Sequence, residues 1–163
     1  MFRIAILFFV LVLQGCTATY VAQERTLEEG RIAGFPVNGT VKVVNPYQQE
    51  VPAELRRSYV TDLKQVTDVF VEQLSNEIAR NGRHSNGAEK WIVATVESMS
   101  VVNRRVYHEA RIQVKLELGN GETVSFERRD GHPMGEPRAL NSVISRAVME
   151  TLAHPRVLAY LAQ

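Results

Sequence analysis

The stretch from Ala110 to Leu118 constrains the fold most, because it alternates apolar and polar residues without a break. Alanine, isoleucine, valine and leucine fill the even positions, and arginine, glutamine, lysine and glutamate fill the odd ones. Strict alternation predicts a β-strand with one buried and one solvated face, as in an antiparallel sheet covered on one side. Glu122 to Arg128 continues the pattern, with Val124 and Phe126 on the apolar face.

The link between these two strands, residues 119–121, decides which residues face each other. A two-residue turn at Asn120-Gly121 would put Leu116 opposite Ser125, an apolar residue against a polar one. A three-residue loop pairs Leu116 with Val124 instead. Because register follows the buried face, we predict the three-residue loop, with Gly121 left-handed as a bulge.

The remaining pattern predicts a two-layer α+β domain. A four-stranded, mostly antiparallel sheet carries two main helices on one face, followed by a short C-terminal helix. The face of the second strand is ambiguous, although Glu97 favours burial of its even-numbered residues. The other predicted elements are a strand at 41–44, a helix at about 53–81 with a kink near 59–62, a strand at 91–99, a helix at 140–152 and a final helix at 157–161.

The amino terminus has the pattern of a secretory signal. Arg3 precedes ten unbroken apolar residues, Ile4 to Leu13, which is too few for a membrane-spanning helix of roughly 20 residues. Leu13-Gln14-Gly15-Cys16 resembles the lipobox of bacterial lipoprotein precursors. The resemblance implies cleavage before Cys16 and acylation of its sulfur and new amino group. The alternative is a plain signal peptide with an incidental cysteine, or a buried free thiol.

These features divide the chain into three parts. Residues 1–15 are predicted to be the signal peptide, residues 16–40 the lipidated cysteine and a tether, and residues 41–163 a single periplasmic domain. As a flexible coil, residues 17–40 would span about 27 Å. Ile32 to Val37 is the part of this tether that could pack on the domain.

The charge balance argues against a nucleic-acid partner. The chain has 19 Lys and Arg residues and 18 Asp and Glu residues, and losing Arg3 with the signal peptide makes these numbers equal. General nucleic-acid binding needs a basic excess. With its only cysteine acylated, the mature chain also has no thiol for a disulfide or for thiolate catalysis.

Neither a metal site nor a catalytic site is predicted. The four histidines, His84, His108, His132 and His154, are scattered, and no two have the i, i+4 spacing of a helical metal site. The sequence contains no nucleophile elbow and no phosphate-binding loop. We therefore expect a protein that is not an enzyme and binds no cofactor.

Five arginines form a candidate basic patch. With the register given above, residue 128 lies opposite residue 112, so the arginine pairs at the start of the third strand and the end of the fourth meet at one end of the sheet. Such a patch would suit anionic lipid headgroups or an acidic partner. The alternative is neutralisation by Glu97, Glu109, Glu127 and Asp130. The patch consists of Arg104, Arg105, Arg111, Arg128 and Arg129.

Together with the lipobox, three stretches resemble the small YajG-like lipoproteins of Gram-negative envelopes. More loosely, they resemble auxiliary and assembly lipoproteins with a β-α-β-β-β-α periplasmic domain. The stretches are VEQLSNEIARNG at 71–82, QVKLELGNGETV at 113–124 and ALNSVISRAVMETLAHPRVLAYL at 139–161. The resemblance covers about residues 41–161 and implies anchoring and interaction, not an activity.

The leading hypothesis is a membrane-anchored, non-enzymatic lipoprotein that serves an envelope complex through a protein partner. The alternative is a lipid- or ligand-handling auxiliary lipoprotein of an ABC-type transport system, which requires an apolar groove between the helices and the sheet. In lipoproteins of this kind, aspartate after the acylated cysteine retains the protein in the inner membrane. Because this position is Thr17, the resemblance implies the periplasmic face of the outer membrane.

Overall fold

The computed structural model describes residues 17–163, in which the chain forms nine strands and three helices. No helix within this range is long and apolar enough to cross a bilayer. The elements are β1 (Ala18–Thr19), β2 (Phe35–Asn38), β3 (Val41–Val44), β4 (Pro52–Arg56), β5 (Tyr59–Asp62), α1 (Leu63–Asn81), β6 (Gly82–Ser85), β7 (Lys90–Asn103), β8 (His108–Leu118), β9 (Thr123–His132), α2 (Glu136–Ala153) and α3 (Pro155–Ala162).

The main sheet has four strands in the order β3-β7-β8-β9. The β3–β7 pair is parallel, and the other two pairs are antiparallel. α1 and α2 bury their apolar stripes against one face of this sheet. The predicted α+β class is therefore confirmed. The described chain also forms two small sheets that were not predicted, β1-β5-β4 and β2-β6.

The β8–β9 hairpin has the predicted register. Leu116 lies opposite Val124, and Val114 lies opposite Phe126. Gly121 has a φ of +88°, a left-handed conformation that glycine adopts without steric cost. The three-residue loop is thus confirmed, and it follows from the need to keep apolar residues on one face.

A bulge in β7 explains why its buried face was ambiguous. Ile92, Ala94 and Val96 are buried, but Met99 and Val101 are the buried residues further along the strand. The pairing with β8 shifts by one residue between Val96 and Ser98. One extra residue moves the following side chains to the opposite face, so the even-numbered face is buried only before the bulge.

The predicted helix at 53–81 is wrong in its first third. β4 and β5 form an antiparallel hairpin there, and α1 begins only at Leu63. Asp62 caps the helix, because its side chain accepts a hydrogen bond from the Lys64 backbone N–H at 3.0 Å. Leu55 and Tyr59 are four residues apart, so their spacing fits a helical stripe although both are buried on strands.

The segment predicted to be a flexible tether packs on the domain. Tyr20, Ala22, Phe35 and Val37 are all buried. β2 pairs in parallel with β6, which places the apolar part of the segment against the end of α1. The described chain therefore has no 24-residue flexible coil between its start and its core.

The interface between the helices and the sheet is filled. Large side chains from α1, α2 and β8 meet there, and each is almost fully buried. This leaves no room for an acyl chain between these described layers. The side chains are Phe70, Leu74, Ile112, Leu116, Leu140 and Ile144.

Candidate functional site

The predicted lipidation site, Cys16, lies outside the described residues, but the chain that follows it is fixed. The Ala18 backbone N–H donates to the Ser58 carbonyl at 3.0 Å, and the Tyr20 N–H donates to the Val60 carbonyl at 2.8 Å. The described chain thus enters the domain beside the turn between β4 and β5.

Side chains of the two long helices hold the next residues in place. The Tyr20 hydroxyl donates to Asn141 Oδ1 at 2.6 Å. Gln65 bonds both backbone groups of Ala22, accepting from its N–H at 2.9 Å and donating to its carbonyl at 2.8 Å. Further along, Gln73 donates to the Arg25 carbonyl at 2.7 Å. The segment is therefore held by hydrogen bonds as well as by burial.

The five arginines of the predicted basic patch lie near one end of the main sheet but do not share a face. Arg111 and Arg129 are directly opposite each other on the uncovered face. Arg128 lies on the covered face, because its partner across the ladder is a buried isoleucine. Arg104 and Arg105 lie in the turn between β7 and β8. The sheet therefore separates the charges that the sequence placed together.

Carboxylates pair with four of these arginines. Glu109 accepts hydrogen bonds from Arg111, and these bonds hold the pKa of Glu109 below its usual value. Arg105 makes no salt bridge within residues 17–163. Most of the positive charge is thus balanced locally. The N–O distances are 2.7 Å for Arg111–Glu109, 3.5 Å for Arg104–Glu109, 3.3 Å for Arg128–Glu150 and 2.6 Å for Arg129–Glu127.

A polar cluster that sequence reasoning missed joins the β4–β5 hairpin to this end of the sheet. The Arg56 guanidinium donates two hydrogen bonds to the Glu136 carboxylate, at 2.9 and 3.0 Å. His108 lies 3.9 Å from Glu136, and its Nδ1 is 2.7 Å from Asn103 Oδ1. Burial opposes ionisation of Glu136, but hydrogen bonds from Arg56 and Asn103 outweigh it and lower the pKa. These residues are far apart in sequence, so no local pattern reveals the cluster.

The histidines are closer in space than their spacing suggests. His108 and His132 are directly opposite each other on β8 and β9. His132 Nδ1 accepts a hydrogen bond from the Met134 N–H at 3.1 Å. Within residues 17–163, no three His, Cys, Asp or Glu side chains converge as metal ligands would. The pairing of the two strands accounts for the proximity of these histidines.

Trp91 stands out at the other end of the sheet. Its side chain is 43% exposed on the uncovered face, and the Lys42 ammonium lies 4.4 Å from its ring centroid. The Tyr160 hydroxyl bonds both the N–H and the carbonyl of Trp91, each at 3.0 Å. The backbone is thus fixed while the indole ring stays accessible.

Of the shallow grooves that border the segment predicted to be a tether, two also contact the carboxyl-terminal helices. One, of about 210 Å³, lies between residues 25–31 and α2. The other, of about 240 Å³, is mainly apolar and lies between residues 31–35 and the two carboxyl-terminal helices. Both are smaller than the usual small-molecule site of about 300–1,000 Å³. The groove required for a lipid-handling protein was expected elsewhere, between helices and sheet, where the described side chains fill the space.

No family model matches this chain, and no curated protein matches it. Among solved structures, it is similar to a Xanthomonas campestris protein described by the family model DUF330. The TM-score is 0.52 at 10% identity, over 88% of this chain and 94% of that one. A Helicobacter pylori protein, described as a homolog of neuraminyllactose-binding hemagglutinin, aligns over 85% of this chain and 97% of its own, with 8% identity and a TM-score of 0.26. The first likeness concerns the fold alone, and the resemblance to YajG-like lipoproteins stays a prediction.

Proposed function

We propose that this protein is a lipoprotein of the outer membrane, anchored through Cys16 on the periplasmic face, and that its domain serves an envelope complex without catalysing a reaction. The lipobox supports the anchor, and Thr17 supports outer-membrane sorting. The docking of Ala18 and Tyr20 beside β5 supports an anchor that lies close to the domain.

The exposure of the Trp91 side chain on a fixed backbone is the observation that supports the interaction role. Exposed aromatic residues on a fixed backbone are typical of the residues that dominate binding energy at protein interfaces. Trp91 lies at the end of the sheet opposite to the turn at 104–107, and β8 spans about 34 Å between these ends at the usual rise of an antiparallel strand. An anchor near Ala18 would leave Trp91 accessible to a partner in the periplasm.

The anchor is tested with Cys16→Ser in cells. We expect an uncleaved precursor that no longer incorporates labelled fatty acid. A mature protein of unchanged mobility that still partitions into detergent would refute the lipoprotein assignment. Thr17→Asp should move the protein from the outer- to the inner-membrane band of a density gradient. Wild-type protein in the inner-membrane band would refute the sorting proposal.

The interaction role is tested by placing a photo-crosslinking amino acid at Lys42, whose side chain lies over the Trp91 ring, in intact cells. The matched control is the same substitution at Ala79, which is exposed on α1. We expect a discrete adduct with one envelope protein from position 42 and none from position 79. Equal adducts from both positions, or none from position 42, would contradict a partner on this face.

A further inference from the structure

The start of the described chain marks one end of the domain as the end nearest the anchor. Ala18 is directly opposite Tyr59 in the β1–β5 pair. Two residue steps separate Ala18 from Cys16, and an extended chain covers at most about 7 Å over that length. An acylated Cys16 therefore holds the membrane next to the β4–β5 turn.

The same end of the domain includes the β7–β8 turn and the loop before α2. The Arg56–Glu136 ion pair connects the β4–β5 hairpin to the start of α2. Glu136 in turn lies beside His108 at the start of β8. The membrane-proximal end is therefore built from three separate parts of the chain.

Exposed apolar side chains are concentrated at this end. Val106 is 79% exposed and Met134 is 64% exposed. Val102 and Tyr107 are also exposed, and Tyr107 lies over Gly131 on β9. We call these four residues the apolar tip. Exposed apolar side chains that gather at one end of a domain mark a contact site.

Three arginines without salt bridges in the described chain lie on the turns and the helix start that form this end of the domain. They are Arg105 in the β7–β8 turn, Arg57 in the β4–β5 turn and Arg138 at the start of α2. Arg138 contacts the tip directly, with its guanidinium 2.9 Å from the Met134 sulfur. Exposed apolar side chains and arginines at the same end of a domain match a bilayer interface, where apolar groups enter the acyl boundary and cations meet anionic headgroups.

We propose that the apolar tip is a second membrane contact, which docks on anionic phospholipid headgroups beside the acyl anchor. Val106 and Met134 enter the interfacial layer, and Arg57, Arg105 and Arg138 contact lipid phosphates. The orientation rests on the lipid anchor proposed above, but the contact surface itself does not require acylation.

The acylated protein provides the first test. With Cys16 acylated, a cysteine introduced by Val106→Cys is the only free thiol and accepts an environment-sensitive fluorophore. In vesicles of phosphatidylethanolamine and phosphatidylglycerol, we expect blue-shifted emission that spin-labelled lipids quench. The matched control is Thr123→Cys, exposed at the opposite end of the sheet. A fluorophore at this position should show the emission of an aqueous environment. Equal emission and quenching at both positions would overturn the proposal.

The unacylated protein tests the membrane contact of the apolar tip independently of the acyl anchor. The described core extends from Tyr20 to Leu161, so residues 16–163 with Cys16→Ser retain it, and circular dichroism checks each variant. We expect flotation with phosphatidylglycerol-containing vesicles at low salt, and none with pure phosphatidylcholine. Arg105→Glu should weaken flotation about fivefold or more, and Val106→Asp about tenfold. Arg83→Glu, a change at an exposed arginine at the far end, should have no effect.

Two results of this second test would overturn the proposal. One is failure of the Cys16→Ser chain, with no further change, to float with anionic vesicles at low salt. The other is equal weakening by Arg83→Glu and Arg105→Glu, which would indicate a general charge effect. Failure of Cys16→Ser to change processing in cells would instead contradict only the anchor.

Discussion

Replacing Tyr20 by alanine tests whether the chain next to the proposed anchor belongs to the folded domain. Tyr20 is 3% exposed, and its ring meets that of Tyr59 edge to face, with centroids 6.4 Å apart. Burial raises the pKa of the Tyr20 hydroxyl, with the neighbouring Tyr59 adding to the effect. These are the surroundings of a core residue and not of a residue in a coil.

The size of the effect follows from these contacts. Removing a buried aromatic side chain costs about 3–5 kcal/mol of unfolding free energy. Tyr20 is near the start of the described chain, so its segment can detach while the rest stays folded, and this limits the loss. We therefore expect about 2–3 kcal/mol for Tyr20→Ala. Tyr20→Phe removes only the hydrogen bond to Asn141 and should cost about 1 kcal/mol.

Urea denaturation of residues 16–163 carrying Cys16→Ser provides the measurement. The control is Val21→Ala, because Val21 is 61% exposed and its truncation should change the unfolding free energy by less than about 0.5 kcal/mol. If Tyr20→Ala costs as little as Val21→Ala, the segment is a tether after all and the reasoning on the docked anchor fails.

Three further changes test other parts of the structure. Gly121→Val should destabilise the domain by about 1 kcal/mol or more, because a β-branched residue is strained at positive φ; no loss in a thermal melt would contradict the loop. Deleting Glu97 removes the extra residue and leaves Ser98 opposite Gln113 and Met99 opposite Ile112, so the cooperative urea transition should persist; loss of the transition would contradict the bulge. The lowered pKa of Glu136 stabilises the fold above the unfolded-state value of about 4.3. This contribution disappears as pH falls through the folded-state pKa. Glu136→Gln should therefore reduce the difference in unfolding free energy between pH 7 and pH 3. An unchanged difference would contradict the stabilising role of the Glu136 carboxylate.

The β8–β9 hairpin could be predicted because its pattern is local, and because a change of one residue in the loop length pairs apolar residues with polar ones. A turn one residue shorter would have placed Leu116 opposite Ser125, and only one loop length avoids this mismatch. The bulge in β7 had no such signal, since both faces of that strand are fairly apolar. Only the pairing with β8 shows where the extra residue lies.

The β4–β5 hairpin was missed because a spacing of four residues is ambiguous. It is close to one helical turn, and it is also an even number, so a strand keeps both residues on one side. The signal that distinguishes the two is Asp62, an N-cap residue directly before α1. The polar cluster of Arg56, Glu136 and His108 had no local signal, because contacts among three distant segments do not appear in a periodic pattern.

Docking of residues 18–22 changes how the proposed anchor acts on the domain. A 24-residue coil would let the domain turn freely at about 27 Å from the lipid, whereas two residues of slack allow about 7 Å. At that distance, binding of the apolar tip becomes an event within one anchored molecule, so a modest affinity of the tip for anionic lipid is enough to fix the orientation. The orientation that results points the β8–β9 loop and Trp91 away from the membrane. The proposed orientation therefore depends on the short connection, because with a long tether neither the apolar tip nor Trp91 would have a defined position above the bilayer.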